Sequence, residues 1–314
     1  MPSQLILICG PTATGKTRLG VALAKALGGE VVSADSMQVY RDLVIGTARP
    51  TQEEMAGVPH HMMGVADPRE NYSVARYVQE ATACVEDIFR RGRQPIVVGG
   101  TGLYLDALCQ GRSFSDFRPE TGVRTRLQAQ AAQGGLDALW EQLRQVDPET
   151  AARLHPHDAK RIIRALEVWY DTGQTISQHN RQTQTQPPRY QGVTIALTYR
   201  DRQDLYQRID QRVDQMMARG LAEEVRALLA AGIPRTSTAM QAIGYKEAVA
   251  AVRGEAAPQD AVAAIQLASR RYAKRQLTWL RRDQDLFWLR HEKTPDMDRA
   301  CRLSTQFLSG RGIE

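Results

Sequence analysis

The run Gly10-Pro11-Thr12-Ala13-Thr14-Gly15-Lys16-Thr17 has the residue types and spacing of a phosphate cradle: two framing glycines, then a lysine and a hydroxyl. Glycines let successive backbone N–H groups turn toward an anion, and the helix that begins here adds partial positive charge at its N-terminus. Lys16 neutralises bridging oxygens, and the Thr17 hydroxyl is placed to ligate Mg²⁺. The motif names the group held, not the reaction. A nucleotide hydrolase commonly offers a Mg²⁺-holding Asp at a later strand end, whereas the third apolar run here closes on Gly99-Gly100-Thr101. Small-molecule kinases can lack that acid, so phosphorylation by ATP stays open as the alternative.

Two further residues belong with the cradle. Asp35 follows the second apolar run, at the carboxyl end where open α/β sheets place their chemistry, beside the cradle in the expected strand order. It serves as a base, binds metal through water, or caps a turn with Ser36. Thr101, inside Gly99-Gly100-Thr101-Gly102-Leu103-Tyr104, faces the same crevice or stabilises its own turn.

These side chains need a scaffold. Leu5 to Cys9 is a short continuous apolar run ending at a Gly-Pro turn, as a strand buried on both faces reads. A helix follows from Lys16 to Leu27, then strands in EVVSAD and in Pro95 to Gly100, with a helix over Val74 to Arg91 between them. The alternation predicts an α/β fold, a P-loop doubly wound parallel sheet core. After Gly111 the strands vanish, and Gln, Ala, Arg and Leu recur at helical spacing up to a Pro-Pro linker, Pro187-Pro188. The pattern predicts a core of residues 1–115 and 193–314 interrupted by a helical insertion domain, residues 116–192. Strand character resumes over Val193 to Tyr199, followed by helices over Asp204 to Ala231, Ala239 to Val252 and Pro258 to Arg282, and a last strand, DLFWL.

Basic residues cluster on two of these helices. Arg270 to Arg282 carries six cations and no acid, and Arg271, Lys274, Arg275, Thr278 and Arg282 recur at three or four residues, a positive stripe suited to a phosphate backbone. In the insertion, Asp158 caps a helix on which Lys160, Arg161 and Arg164 share a side while Ile162, Ile163, Leu166 and Trp169 pack. Two basic helices in separate segments fit a large polyanion. Tyr245, in Met240 to Ala248, stacks on a base or packs in the core, and Lys246 meets a phosphate. The pairs His60-His61 and His155/His157 lack carboxylates or thiols at ligand spacing and read as structural.

Composition sets the outer limits. With 314 residues, 42% of them hydrophobic, the chain can bury a full core, and 41 Lys plus Arg against 35 Asp plus Glu leave a mild +6. Cys9, Cys84, Cys109 and Cys301 stand too far apart for a zinc site or redox dithiol, and the first apolar run is too short for a signal or membrane span. A cytoplasmic monomer with no membrane association is expected.

Six ordered segments, GPTATGKT, DSMQVYRDL, GGTGLY, KRIIRALEV, MQAIGYKE and RRYAKRQLTWLRR, closely resemble the bacterial tRNA dimethylallyltransferase family over nearly the whole chain. The resemblance implies transfer of a dimethylallyl group from dimethylallyl diphosphate to N6 of the adenosine at tRNA position 37, just 3′ of the anticodon, with Mg²⁺. It implies Asp35 as base, Lys16, Thr101 and Arg212 (in the segment RIDQRV) as its partners in catalysis, and Thr17 at the metal. It also implies tRNA contacts at Asp35, Ser36, Met37, Gln38, Thr101 and Val123. A further set runs through Lys160, Arg161, Ile162, Ile163 and Arg164, and through Gln241, Ala242, Ile243, Gly244, Tyr245 and Lys246. The last set is Lys274, Arg275, Gln276, Leu277, Thr278, Trp279, Leu280 and Arg281. An RNA-binding protein without chemistry would leave the cradle unused.

Overall fold

The structure, a computed structural model, describes residues 3–111, 122–184 and 187–313. Six strands, β1 (Gln4–Cys9), β2 (Glu30–Ala34), β3 (His60–His61), β4 (Pro95–Gly99), β5 (Gln191–Tyr199) and β6 (Phe287–His291), form one parallel sheet in the order β3-β2-β4-β1-β5-β6. Continuous apolar runs suit strands covered on both sides. Ile6, Ile8, Ile96, Val98, Ile195 and Leu197 point into one core cluster with α1 (Lys16–Ala26), while the alternate residues Leu5, Leu7, Val32 and Val97 are buried outside that cluster. The chain continues through α2 (Gln52–Met55), α3 (Val74–Arg90) and α4 (Gly102–Gln110); Tyr77 of α3 and Tyr104 of α4 stack at 3.9 Å between ring centroids.

Two compact units divide the chain, residues 1–111 with 189–314, and residues 112–188. The expected boundary at 115/116 lies outside the described residues; the one at 192 falls inside β5. The second unit holds α5 (Val123–Gln130), α6 (Leu136–Val146), α7 (Pro148–Arg153), α8 (Ala159–Thr172) and α9 (Ile176–Gln184) around a core of Leu127, Leu139, Leu143, Ile162 and Leu166.

The first unit closes with α10 (Arg202–Ala218), α11 (Leu221–Ala230), α12 (Tyr245–Val252), α13 (Pro258–Leu280) and α14 (Met297–Ser309). Several expectations are corrected here. The helix expected over 204–231 is two, because Gly220 takes a left-handed conformation (φ 95°) that ends α10. The helix expected over 239–252 is a short 3₁₀ turn at Ala239–Gln241, an extended Ala242, a left-handed Gly244 and only then α12. The last strand starts two residues later than DLFWL, and β3 and α14 were not anticipated; α14 packs Leu308 into the same cluster as α1. Finally, β4 lies between β1 and β2, so Thr101, not Asp35, follows the strand neighbouring the cradle.

Candidate active site

The loop from Gly10 to Gly15 links β1 to α1. A Cβ on Gly10 would meet the Leu197 carbonyl oxygen at 2.4 Å, so only glycine lets the loop pass β5 this closely. Inside the loop the Thr14 hydroxyl donates to the Pro11 carbonyl (2.9 Å) and the Lys16 ammonium to the same oxygen (2.6 Å). Two residues at the ends of β5 and β6 fix its outer turn: Tyr199 donates to the Ala13 carbonyl (3.3 Å) and His291 Nε2 to that of Thr14 (3.1 Å). Thr12 and Thr17 are partly exposed beside them.

The four residues expected to act together do converge. Burial first, and then the neighbouring Arg212 charge, bring the Lys16 ammonium down to about 8, with Asp35 acting against them. Burial likewise lowers Arg212 on α10, opposed by Asp35 and Glu54, and the Arg212 Nε is buried without a hydrogen-bond partner among the described residues. Two cations and a carboxylate thus lie within electrostatic reach of one another, and among the described residues neither cation forms a salt bridge. Asp35 Oδ1 accepts from the backbone N–H of Met37 (2.9 Å) and Gln38 (3.4 Å), leaving Oδ2 outside that turn. Thr101 accepts from the Ser36 N–H (3.0 Å) and donates to the Ser36 hydroxyl (3.3 Å), tying the end of β4 to the turn after β2.

Helix α13 is pinned against this edge through residues that had been grouped with the tRNA contacts. Gln276 donates to the Gly100 carbonyl (2.9 Å), and Trp279 donates to Asp106 (3.0 Å) with its indole over Gly102, where a Cβ would come within 2.4 Å of the ring. Gln276 and Leu280 are buried, and Leu277 packs beside Tyr199 and Leu205. Lys274, Arg275, Thr278 and Arg281 are exposed on the opposite side, with the Arg275 guanidinium 5.4 Å from the Tyr272 ring centre. The α12 region shows the same division. Lys246 and Gln241 are exposed and Ile243 partly so, while Ala242, Gly244 and Tyr245 are buried. Tyr245 is fully enclosed and bonded to Glu224, which decides between the two readings left open: it packs in the core and has no open face for a base. In the second unit Lys160, Arg161 and Arg164 are exposed, Ile162 and Ile163 lie in the core, and Val123 packs against that core. Met37 and Gln38 are partly buried, and the Gln38 side chain is taken up by Ser33, Thr47 and Ala48.

Sequence reasoning gave Tyr272 no part in the site. Its hydroxyl faces Thr101 and Gln276, and burial followed by the Asp35 charge pushes its pKa up to about 12, so the phenol stays protonated and neutral near the carboxylate. The signal was its place one helical turn before Gln276, which meant nothing until Gln276 was seen to dock on β4.

Comparison with known proteins gives a consistent result. A family model described as IPP transferase matches residues 38–283, and one described as isopentenyl transferase matches residues 3–64. The chain is 47% identical over 289 residues to the tRNA dimethylallyltransferase of Caldanaerobacter subterraneus, covering 92% of each protein. It is 48% identical over 288 residues to that of Geobacillus thermodenitrificans, covering 92% of this chain and 90% of the relative. Among solved structures it resembles the full-length tRNA isopentenylpyrophosphate transferase of Bacillus halodurans (42% identity, TM-score 0.73, 98% and 96% covered). It also resembles a eukaryotic dimethylallyltransferase acting on tRNA (31% identity, TM-score 0.81, 99% and 81% covered).

Proposed function

Since the chain belongs to the IPP transferase family, whose members transfer a dimethylallyl group to tRNA, we propose the following course for its reaction. The donor is dimethylallyl diphosphate and the acceptor is N6 of the adenosine at position 37. The single observation that carries this reading is the convergence of Lys16, Arg212 and Asp35: among the described residues, two cations without a salt bridge, near a carboxylate whose own turn engages only one of its oxygens.

A diphosphate in the Gly10–Thr17 loop accepts from its backbone N–H groups, and Lys16 exchanges the Pro11 carbonyl for a phosphate oxygen. The N6 lone pair forms a bond to C1 of the allyl group while the C1–O bond breaks. The bonding pair leaves on the diphosphate, where Lys16 and Arg212 stabilise it. An exocyclic adenine amine is a poor nucleophile because its lone pair is delocalised into the ring; Asp35 takes the N6 proton as the new bond forms. The base must leave its stack to reach this edge, which calls for phosphate contacts beside it, and the exposed cations of α13 supply them. The Thr17 hydroxyl fits Mg²⁺, an ion that binds hard oxygens, keeps much of its water and shares phosphate oxygens. When bound, Mg²⁺ offsets charge on the diphosphate.

No helix among the described residues is long and apolar enough to cross a membrane; action on tRNA as a monomer in the cytoplasm is part of the proposal. The test is incubation with unmodified tRNA, Mg²⁺ and dimethylallyl diphosphate, reading N6-modified adenosine by mass spectrometry. Absence of product, with ATP-dependent phosphorylation of a small molecule in its place, would overturn the reading. Asp35→Asn should lose about a hundredfold or more in turnover with tRNA affinity retained.

A further inference from the structure

The segment between β2 and α2 carries Asp35 at its start, and its far end is held from outside. The Glu224 carboxylate, on α11, accepts from three consecutive backbone N–H groups, those of Val44 (3.2 Å), Ile45 (2.8 Å) and Gly46 (3.3 Å). The same carboxylate accepts from the enclosed Tyr245 hydroxyl, whose ring lies so close to Gly46 that a Cβ there would approach it to 2.4 Å. Among the described residues Glu224 forms no salt bridge; these N–H groups and the phenol bond it directly, and the Arg49 charge lies within electrostatic reach. An acceptor with two oxygens is what three adjacent donors in a non-regular segment require.

From this anchor a continuous chain of hydrogen bonds leads to the reacting edge. The segment closes on itself through Ala48 N–H to Ile45 O (2.9 Å) and Arg49 N–H to Val44 O (3.0 Å). Its carbonyls at Thr47 and Ala48 accept from the Gln38 side-chain amide (3.2 and 3.4 Å), whose oxygen accepts from Ser33 of β2 (3.1 Å). The Gln38 and Met37 backbone N–H groups bind Asp35 Oδ1. We propose that Glu224 is a positioning residue for prenyl transfer: by gripping residues 44–46 it sets Gln38, and through Gln38 the turn that orients Asp35. The inference rests on the reading of Asp35 as the group that takes the N6 proton.

The experiment is single-turnover prenyl transfer by Glu224→Gln, Tyr245→Phe, Asp35→Asn and the double variant Asp35→Asn/Glu224→Gln, with tRNA and dimethylallyl diphosphate affinities measured alongside. Glu224→Gln places an amide donor among backbone donors. It should slow the chemical step about tenfold, since small misplacements at a reacting centre cost one to two orders of magnitude, while both affinities stay within about twofold. Tyr245→Phe removes one hydroxyl from an otherwise intact site and should slow the step about threefold, which keeps the test open if Glu224→Gln folds poorly. Once Asp35 is Asn, the Glu224 change should add no further loss, because both act through one group. An unaltered rate in Glu224→Gln or Tyr245→Phe, or a loss that multiplies in the double variant, overturns the positioning role while leaving Asp35 as base. A normal rate in Asp35→Asn alone overturns the base assignment and this inference with it.

Discussion

Helices α8 and α13 both read as basic stripes in the sequence, yet their cations stand in different circumstances. On α8, Arg161 pairs with Asp158 (2.8 Å) and Arg164 with Glu167 (2.8 Å), a fully buried carboxylate that also holds Arg124 (2.9 Å). On α13, Arg270 pairs with Asp210 (2.6 Å), while among the described residues Arg271 and Lys274, and Arg281 and Arg282 just past its end, have no acid within salt-bridge reach. A count of positive residues therefore overstates what α8 can offer a polyanion. Its arginines hold the insertion together first, and a phosphate must compete for them. The α13 cations are free to release counterions on binding.

That contrast can be broken at its strongest point. Glu167→Gln should destabilise the insertion by about 2 kcal/mol, because it removes a buried charge that two guanidinium groups bond. Faster amide exchange confined to residues 123–184 is the expected signature, with little change in the sheet.

A buried cation gives the next effect. Lys16 is held down to about 8, so it is mostly protonated below that pH and progressively neutral above it. An anion in the loop favours the protonated form, so donor affinity should be level below pH 8. It should then fall about tenfold per unit as pH rises beyond, with proton uptake on binding visible by calorimetry in buffers of differing ionisation heat. A flat profile to pH 10 would mean that the ammonium does not meet the diphosphate.

The two exposed helices then separate by salt titration. Lys274→Ala should weaken tRNA binding about threefold and flatten the slope of log K against log salt by about 0.7 to 0.9, the value of one phosphate contact. Arg161→Ala should change the slope by much less and stability by under about 0.5 kcal/mol, since Arg161 is itself exposed and its partner Asp158 is a partly exposed i,i+3 neighbour. Equal slope changes for both would erase the distinction drawn between the helices.

What could be read in advance follows the same logic. Parallel strands were visible as unbroken apolar runs, and the cradle as a spacing of glycines, because both are written in consecutive residues. The break at Gly220 was not, since a glycine inside a helical pattern is silent until its backbone sign is known. Nor could the pattern distinguish a free arginine from a committed one: Arg124 and Glu167 meet only once α5 and α8 pack. Buried members of the implied contact set, Gln276 and Leu280, became distinguishable from Lys274 and Arg281 when the rotation of α13 was fixed by Gly100 and Gly102. Glu224 carries no motif, and its significance lies wholly in the backbone it holds.

The bond from His291 to the carbonyl of Thr14 spans 277 positions of chain. On a ribosome, the first residues of the phosphate loop emerge long before the partner that steadies them. Until β6 is added the loop has its sequence but not its final brace, so a nascent chain stalled before residue 291 should grip diphosphate weakly and release it fast. Competence is in this sense a late event in synthesis, conferred by the closing strand on a motif made at the very beginning.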